Sequence, residues 1–215
     1  MFNGFQKEFV DFLIQLSFEN TIEKQAENLK SYKKIISSPL NELCNDLLPV
    51  ACEINPAFET KPSRCISTPY TDRRFSPNTP LKEYMYLRFK QSGKSKDIVG
   101  LYFDMGADMY SYGLRVYKQT SGGFQNIKNN IIDNQNEFLD ELNIILNNGY
   151  EIIGDKYKKD HYPDINNELL NDFLNRKSFY ICKERSLNDD VFTPKLANEI
   201  SQGFLQLKNF VNLIL

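Results

Sequence analysis

The chain has no tryptophan, one histidine (His161), and four cysteines, Cys44, Cys52, Cys65 and Cys182, with no CxxC pair among them. An ordinary zinc site needs several His or Cys ligands at set spacing, so that chemistry is excluded. An all-carboxylate magnesium site stays open. The scattered cysteines read as small buried hydrophobes of a reducing compartment. Charge of one sign is also missing: 26 Lys plus Arg against 28 Asp plus Glu leave a formal −2, and no nucleic-acid partner is expected from so even a balance. No stretch approaches the ~20 apolar residues of a membrane span. Met1 to Glu8 lacks the basic flank and apolar run of a signal peptide. These absences predict a soluble cytoplasmic protein with no membrane partner. No GxGxxG, GxSxG or HExxH run occurs, so no cofactor is expected. Gly93-Lys94-Ser95 ends like a phosphate-binding loop, but Arg88 stands where the upstream glycine belongs, and the segment reads as a hairpin turn.

Apolar periodicity defines the elements. Phe5, Phe9, Phe12, Leu13 and Leu16 recur at helical spacing, Ile22 to Ile36 continues with a second helix, and Ser38-Pro39 caps a third carrying Leu40, Leu43, Cys44, Leu47, Leu48 and Ala51. Strands are predicted over 64–70, 84–90, 99–105 and 110–117. In the second of these Met85, Leu87 and Phe89 alternate with Tyr84, Tyr86 and Arg88; in the third Val99, Leu101, Phe103 and Met105 alternate with Gly100, Tyr102 and Asp104. Short connections force antiparallel neighbours. One long helix from Phe124 to Leu146 closed by Gly149, a short strand at Ile152-Ile153, a helix over 169–174, a strand over 178–182 and a final helix from Thr193-Pro194 complete the chain. The expected fold is α+β: one domain over 1–215 whose mostly antiparallel sheet is flanked by N-terminal helices, a long central helix and a C-terminal helix.

Two loops concentrate charge. In the first, Thr71 to Lys82, a guanidinium fork on Asp72 would order the loop, leaving Arg74 and Lys82 to face an anion. The plainer alternative is that Asp72 and Arg74 only pin the loop. The second runs from Lys156 to Asp164 and holds His161, a candidate acid or base or simply a loop residue bonded to Asp160 or Asp164. Cys65 beside Arg64 is a candidate thiol, with burial the simpler reading. Tyr84, Tyr86, Tyr102, Tyr110, Tyr112 and Tyr117 could pave a stacking surface or merely cover the sheet.

These residues together resemble the bacterial family known as domain of unknown function 2461. Phe2-Asn3-Gly4-Phe5, Phe12-Leu13 and Phe18-Glu19-Asn20 are similar to its N-terminal pattern. Asp72, Arg74, Phe75, Ser76, Thr79, Pro80 and Lys82 match its Arg-Asp-x-Arg-Phe-Ser and Thr-Pro-Tyr-Lys stretch, and Gly154, Lys156, His161 and Pro163, with Lys177-Ser178-Phe179, match its later segments. Thr71 replaces the first arginine, Leu81 replaces the tyrosine, the intervening spacer is one residue short, Tyr162 separates His161 from Pro163, and the early tryptophan is missing. The resemblance implies one domain and no particular reaction.

Asp72, Arg74, Ser76, Lys82 and Lys156 are therefore the expected ligand-binding residues for a small phosphate or carboxylate, with no metal. An enzyme using His161 as acid or base is the first alternative. An interaction protein without a small-molecule site is the second.

Overall fold

In the computed structural model, which describes residues 1–72, 74–91, 99–116 and 121–215 (the side chains of 121–123 excepted), helix α1 (Glu8–Glu19) buries Phe9, Phe12, Leu13 and Leu16 as their spacing predicts. Gly4, at φ 103°, lets the preceding segment press against the peptide after Phe192. A Cβ at Gly4 would lie 2.1 Å from the Phe192 carbonyl carbon. Phe5 N–H then donates to the Val191 carbonyl at 3.1 Å, and Phe5 and Phe103 stack with centroids 6.4 Å apart.

Helix α2 (Gln25–Tyr32) runs through a wide π turn, Lys33–Ser37, directly into α3 (Ser38–Ile54). Ser38-Pro39 thus opens α3 with the proline in its first turn, as expected, but no side chain caps the helix and the chain enters it without a break. Ser38 N–H reaches the Lys33 carbonyl instead, and the widened turn accommodates the ring of Pro39, which would crowd the carbonyl below it in a regular turn. The expected strand over 64–70 is also absent. Pro62 opens a single helical turn, α4 (Pro62–Cys65), and the chain then forms only isolated bridges, Ile66↔Leu87 and, ahead of the first strand, Tyr70↔Leu81. Pro69 has no N–H with which to continue a ladder.

The sheet comprises β1 (Met85–Lys90), β2 (Val99–Met105), β3 (Met109–Val116), β4 (Glu151–Ile153) and β5 (Phe179–Ser186), all antiparallel in the order β1-β2-β3-β5-β4. The expected central helix is two, α5 (Ser121–Asp133) and α6 (Gln135–Asn147): Asn134 leaves the helical region at φ −123°, ψ 41°, its side-chain amide bonding the Asn130 carbonyl at 2.9 Å. Helix α7 (Glu168–Leu174) precedes β5, and the final helix likewise divides into α8 (Lys195–Gln206) and α9 (Lys208–Ile214). The architecture is α+β. The expected turn at Gly93–Asp97, Tyr117 and Arg73 lie outside the described residues.

The apolar parity of the strands, Met85, Leu87, Phe89, Leu101, Phe103 and Leu114, is fully buried against the helices. On the same side Tyr110 and Tyr112 donate to the two carboxylate oxygens of Glu199 in α8 at 2.9 and 3.0 Å, and Tyr150 donates to the Gly203 carbonyl at 2.6 Å. Among the described residues no helix is long and apolar enough to cross a membrane.

Candidate anion site on the polar face of the sheet

Side chains of opposite parity meet on the other face, and the strand register sorts them into rows. One row runs Tyr86, Asp104, Ser111, Glu184; the next Arg88, Tyr102, Gly113, Cys182; the third Lys90, Gly100, Arg115, Tyr180. Gly113 is required here. A Cβ on it would lie 2.0 Å from the Ile181 carbonyl oxygen.

The cations and rings of this face interleave. The Arg88 guanidinium stacks 4.0 Å from the Tyr86 ring centroid, Lys82 Nζ lies 5.4 Å from the same ring, Arg115 sits 5.4 Å from the Tyr180 ring, and Tyr180 meets Tyr102 edge-on at 5.4 Å. Burial, and after it the nearby Arg115 charge, holds the Arg88 guanidinium below the ordinary arginine value. Burial and then Arg88 lower the Lys82 ammonium in the same way. Lys82 donates to the Thr68 carbonyl at 2.8 Å. No protein oxygen among the described residues accepts a hydrogen bond from the Arg88 guanidinium.

Against these cations stands Asp104. Burial raises its pKa, and the opposing Ser111 hydrogen bond and Arg88 charge do not restore the ordinary value. Ser111 Oγ donates to Asp104 Oδ1 at 2.9 Å and lies 3.1 Å from the Tyr102 hydroxyl; with its one proton given to Asp104, it accepts from Tyr102. The Cys182 thiol is pushed up to about 11, chiefly by burial, and is a poor nucleophile.

The residues of the two charged loops are placed differently. Arg74 is 81% exposed and fixed to Asp72 by its Nε at 3.0 Å and its Nη2 at 2.5 Å, which holds the Asp72 carboxyl down at about 2. Ser76 contributes its N–H to the Asp72 carbonyl at 3.0 Å. Among the described residues of that loop Lys82 alone reaches the polar face. Lys156 pairs with Asp172, which Arg176 also holds at 2.9 Å. His161 is exposed, with its ring 4.5 Å from Tyr157 and its backbone N–H donating to Asn175 Oδ1 at 2.8 Å, while Asp160 receives the Tyr162 backbone N–H at 2.7 Å. Cys65 is buried, its thiol donating to the Glu59 carbonyl at 3.3 Å. No cluster of three or more potential metal ligands occurs among the described residues.

The family model described as conserved hypothetical protein (DUF2461) matches residues 8–213, nearly the whole chain. The chain belongs to the DUF2461 family. Comparison with curated proteins and with solved structures finds no match.

The residues resembling the DUF2461 pattern divide by what they touch. Gly4 seats the N-terminus, Asp72 and Arg74 close a turn, and Lys156 ties its loop to α7. Asn20 does more: buried at 6% exposure, it donates to the Leu81 carbonyl at 2.7 Å and accepts the Leu81 N–H at 3.1 Å. That clamp fixes the backbone next to Lys82. Arg88, Asp104, Ser111 and Arg115 form the rest of the site and carried no motif. Their available signal was parity, since Arg88 and Asp104 fall on the positions of β1 and β2 opposite the apolar set.

Proposed function

We propose that this protein binds a small anion, a phosphate or a phosphate ester, on the polar face of the sheet, with Arg88, Arg115 and Lys82 as its cationic donors. The observation that carries the reading is Arg88: a half-buried guanidinium beside two other cations, with no protein acceptor among the described residues. Like charges placed together in a half-buried setting repel, and a bound dianion relieves that repulsion. Arg88, Arg115 and Lys82 stand on the face that carries Asp104, a carboxyl whose ionisation is disfavoured, and a dianion offsets their charge more than a single carboxylate would. Arginine matches phosphate geometry through paired N–H groups. Arg74 is not assigned to the site.

The test is calorimetric titration with inorganic phosphate at low ionic strength, with acetate as comparison. Phosphate is expected to bind more tightly than acetate. Arg88→Gln is expected to weaken phosphate roughly 10- to 150-fold, the range for a lost hydrogen bond to a charged group. Arg74→Ala is expected to leave it unchanged. Equal phosphate affinity in wild type and Arg88→Gln would refute the assignment.

Asp104 favours a second reading, an enzyme acting on a phosphorylated small molecule, because a carboxyl with raised pKa beside an anion-binding arginine is suited to proton transfer. Here Asp104 replaces His161 as the acid or base. Release of phosphate from a phosphomonoester panel, lost in Asp104→Asn, tests it. Turnover that survives this change would exclude Asp104 from the chemistry.

A further inference from the structure

Two thiols meet behind the edge of the sheet. Cys44 lies within α3, and Cys65 ends the one-turn helix α4 that packs on it. Both are buried and neither is in a disulfide. The Cys44 thiol hydrogen-bonds the Cys65 sulfur, and the Cys65 thiol in turn lies 3.3 Å from the Glu59 carbonyl oxygen. The bond from Cys44 favours the ionised form of Cys65 against its burial and disfavours that of Cys44, so the pair has a nucleophile and a partner beside it. Sulfurs in contact across two elements need little backbone movement to join. The outer member of the pair sits on a weak element: α4 is four residues long, and its Ser63 and Arg64 are exposed. A helix so short opens locally far below the cost of global unfolding.

We infer that Cys44 and Cys65 are a reversible oxidation site, forming a disulfide when a hydroperoxide reaches them through local opening of α4. The Cys65 thiolate attacks one oxygen of hydrogen peroxide, the O–O bond breaks, and the departing hydroxide takes up the proton that Cys65 released and leaves as water. The Cys44 sulfur then attacks the sulfur of the Cys65 sulfenic acid. The S–S bond forms, the S–O bond breaks, and the hydroxyl leaves as a second water with the Cys44 proton. Two thiols are oxidised and one peroxide is reduced. The bridge fastens α4 to α3, and with it the residues that follow. Ser67 N–H donates to the Tyr86 carbonyl at 2.8 Å, Ser67 Oγ accepts the Tyr86 N–H at 3.2 Å, and the Thr68 carbonyl accepts from Lys82 at 2.8 Å. The inference stands apart from the anion-binding reading.

The experiment treats the full native chain with hydrogen peroxide and maps its cysteines by mass spectrometry of unreduced peptides, with the half-buried Cys52 as the internal standard. A Cys44–Cys65 linked peptide is expected, cleaved again by dithiothreitol. Closing the loop between residues 44 and 65 should raise the melting temperature by roughly 5–10 °C. The Ile66 and Ser67 amides should gain hydrogen-exchange protection in the oxidised chain. Cys44→Ser is expected to leave Cys65 as a sulfenic acid that dimedone traps, and Cys65→Ser to leave Cys44 reduced. Should either variant fail to fold, the wild-type map decides alone. Both thiols still free once Cys52 is oxidised, a link from either to Cys52 or Cys182, or a Cys44–Cys65 link that forms only in urea overturns the inference.

Discussion

Asn20→Ala is expected to damage both the fold and the proposed anion site, because one buried side chain holds the backbone next to Lys82. Asn20 and Leu81, 61 positions apart, are joined by two hydrogen bonds, 2.7 Å from the amide nitrogen to the Leu81 carbonyl and 3.1 Å from the Leu81 N–H to the amide oxygen. Leu81 is 1% exposed, so water does not readily replace either partner. An unsatisfied buried donor or acceptor costs about 1–3 kcal/mol, and removing both partners puts the expected loss at roughly 2–6 kcal/mol. That is a large share of the ~5–15 kcal/mol stability of an ordinary domain. Urea denaturation measures it as a lower midpoint with an unchanged slope. The Leu81 amide should also lose hydrogen-exchange protection more than the amides of β2. Asn20→Asp separates the two bonds, since it keeps the acceptor for the Leu81 N–H but turns a second acceptor toward the Leu81 carbonyl; it should be destabilised too. A loss below about 1 kcal/mol in Asn20→Ala, with Leu81 still protected, would refute the clamp.

Other perturbations have signs fixed by the geometry. Asp104 has its folded pKa raised above the unfolded value, so the stability from its protonated form is present at low pH and lost as pH rises through the folded pKa. Asp104→Asn should accordingly match or exceed wild type in thermal stability at pH 7, with the gain shrinking toward pH ~4, near the unfolded value; a less stable variant at pH 7 would contradict this. Arg74→Ala should let the Asp72 carboxyl rise from about 2 toward an ordinary value in a carbon-detected NMR titration, and an unmoved titration would refute the pairing. Gly4→Ala combines a φ of 103° with a Cβ 2.1 Å from the Phe192 carbonyl carbon, and a loss of roughly 2–5 kcal/mol in urea denaturation is expected from strain plus overpacking.

Legibility in the sequence followed locality. The alternation of Met85, Leu87 and Phe89 with Tyr86 and Arg88 is a property of adjacent residues, and both the strand and its parity hold in the structure. The helix breaks at Asn134 and Leu207 were invisible because the apolar stripe continues across each: Ile131 and Phe138, and Phe204 and Phe210, are all fully buried. Residues 64–70 carry Cys65, Ile66 and Thr68, but Pro62 before the segment and Pro69 within it decide the outcome. The position of β5 between β3 and β4 depends on pairing between distant segments, which no local pattern encodes.

The site shows the same division in its charges. Asp72 and Arg74 drew notice because they are neighbours in sequence, and that proximity is why they satisfy one another in the fold. Arg88 and Arg115 stand apart in the chain, each inside a strand, and only the pairing of β1 to β2 and β2 to β3 brings their charges onto one face. An ion pair made within a turn neutralises itself on an exposed surface, where such pairs contribute little. Cations gathered from separate strands keep their charge against burial, and the lowered pKa of Arg88 and Lys82 expresses that cost. If phosphate binds on this face as proposed, recovery of phosphate affinity should track the positive charge there. Arg88→Lys restores the charge without the planar fork: it should regain part of what Arg88→Gln loses, and recovery of none would mean that geometry alone governs binding.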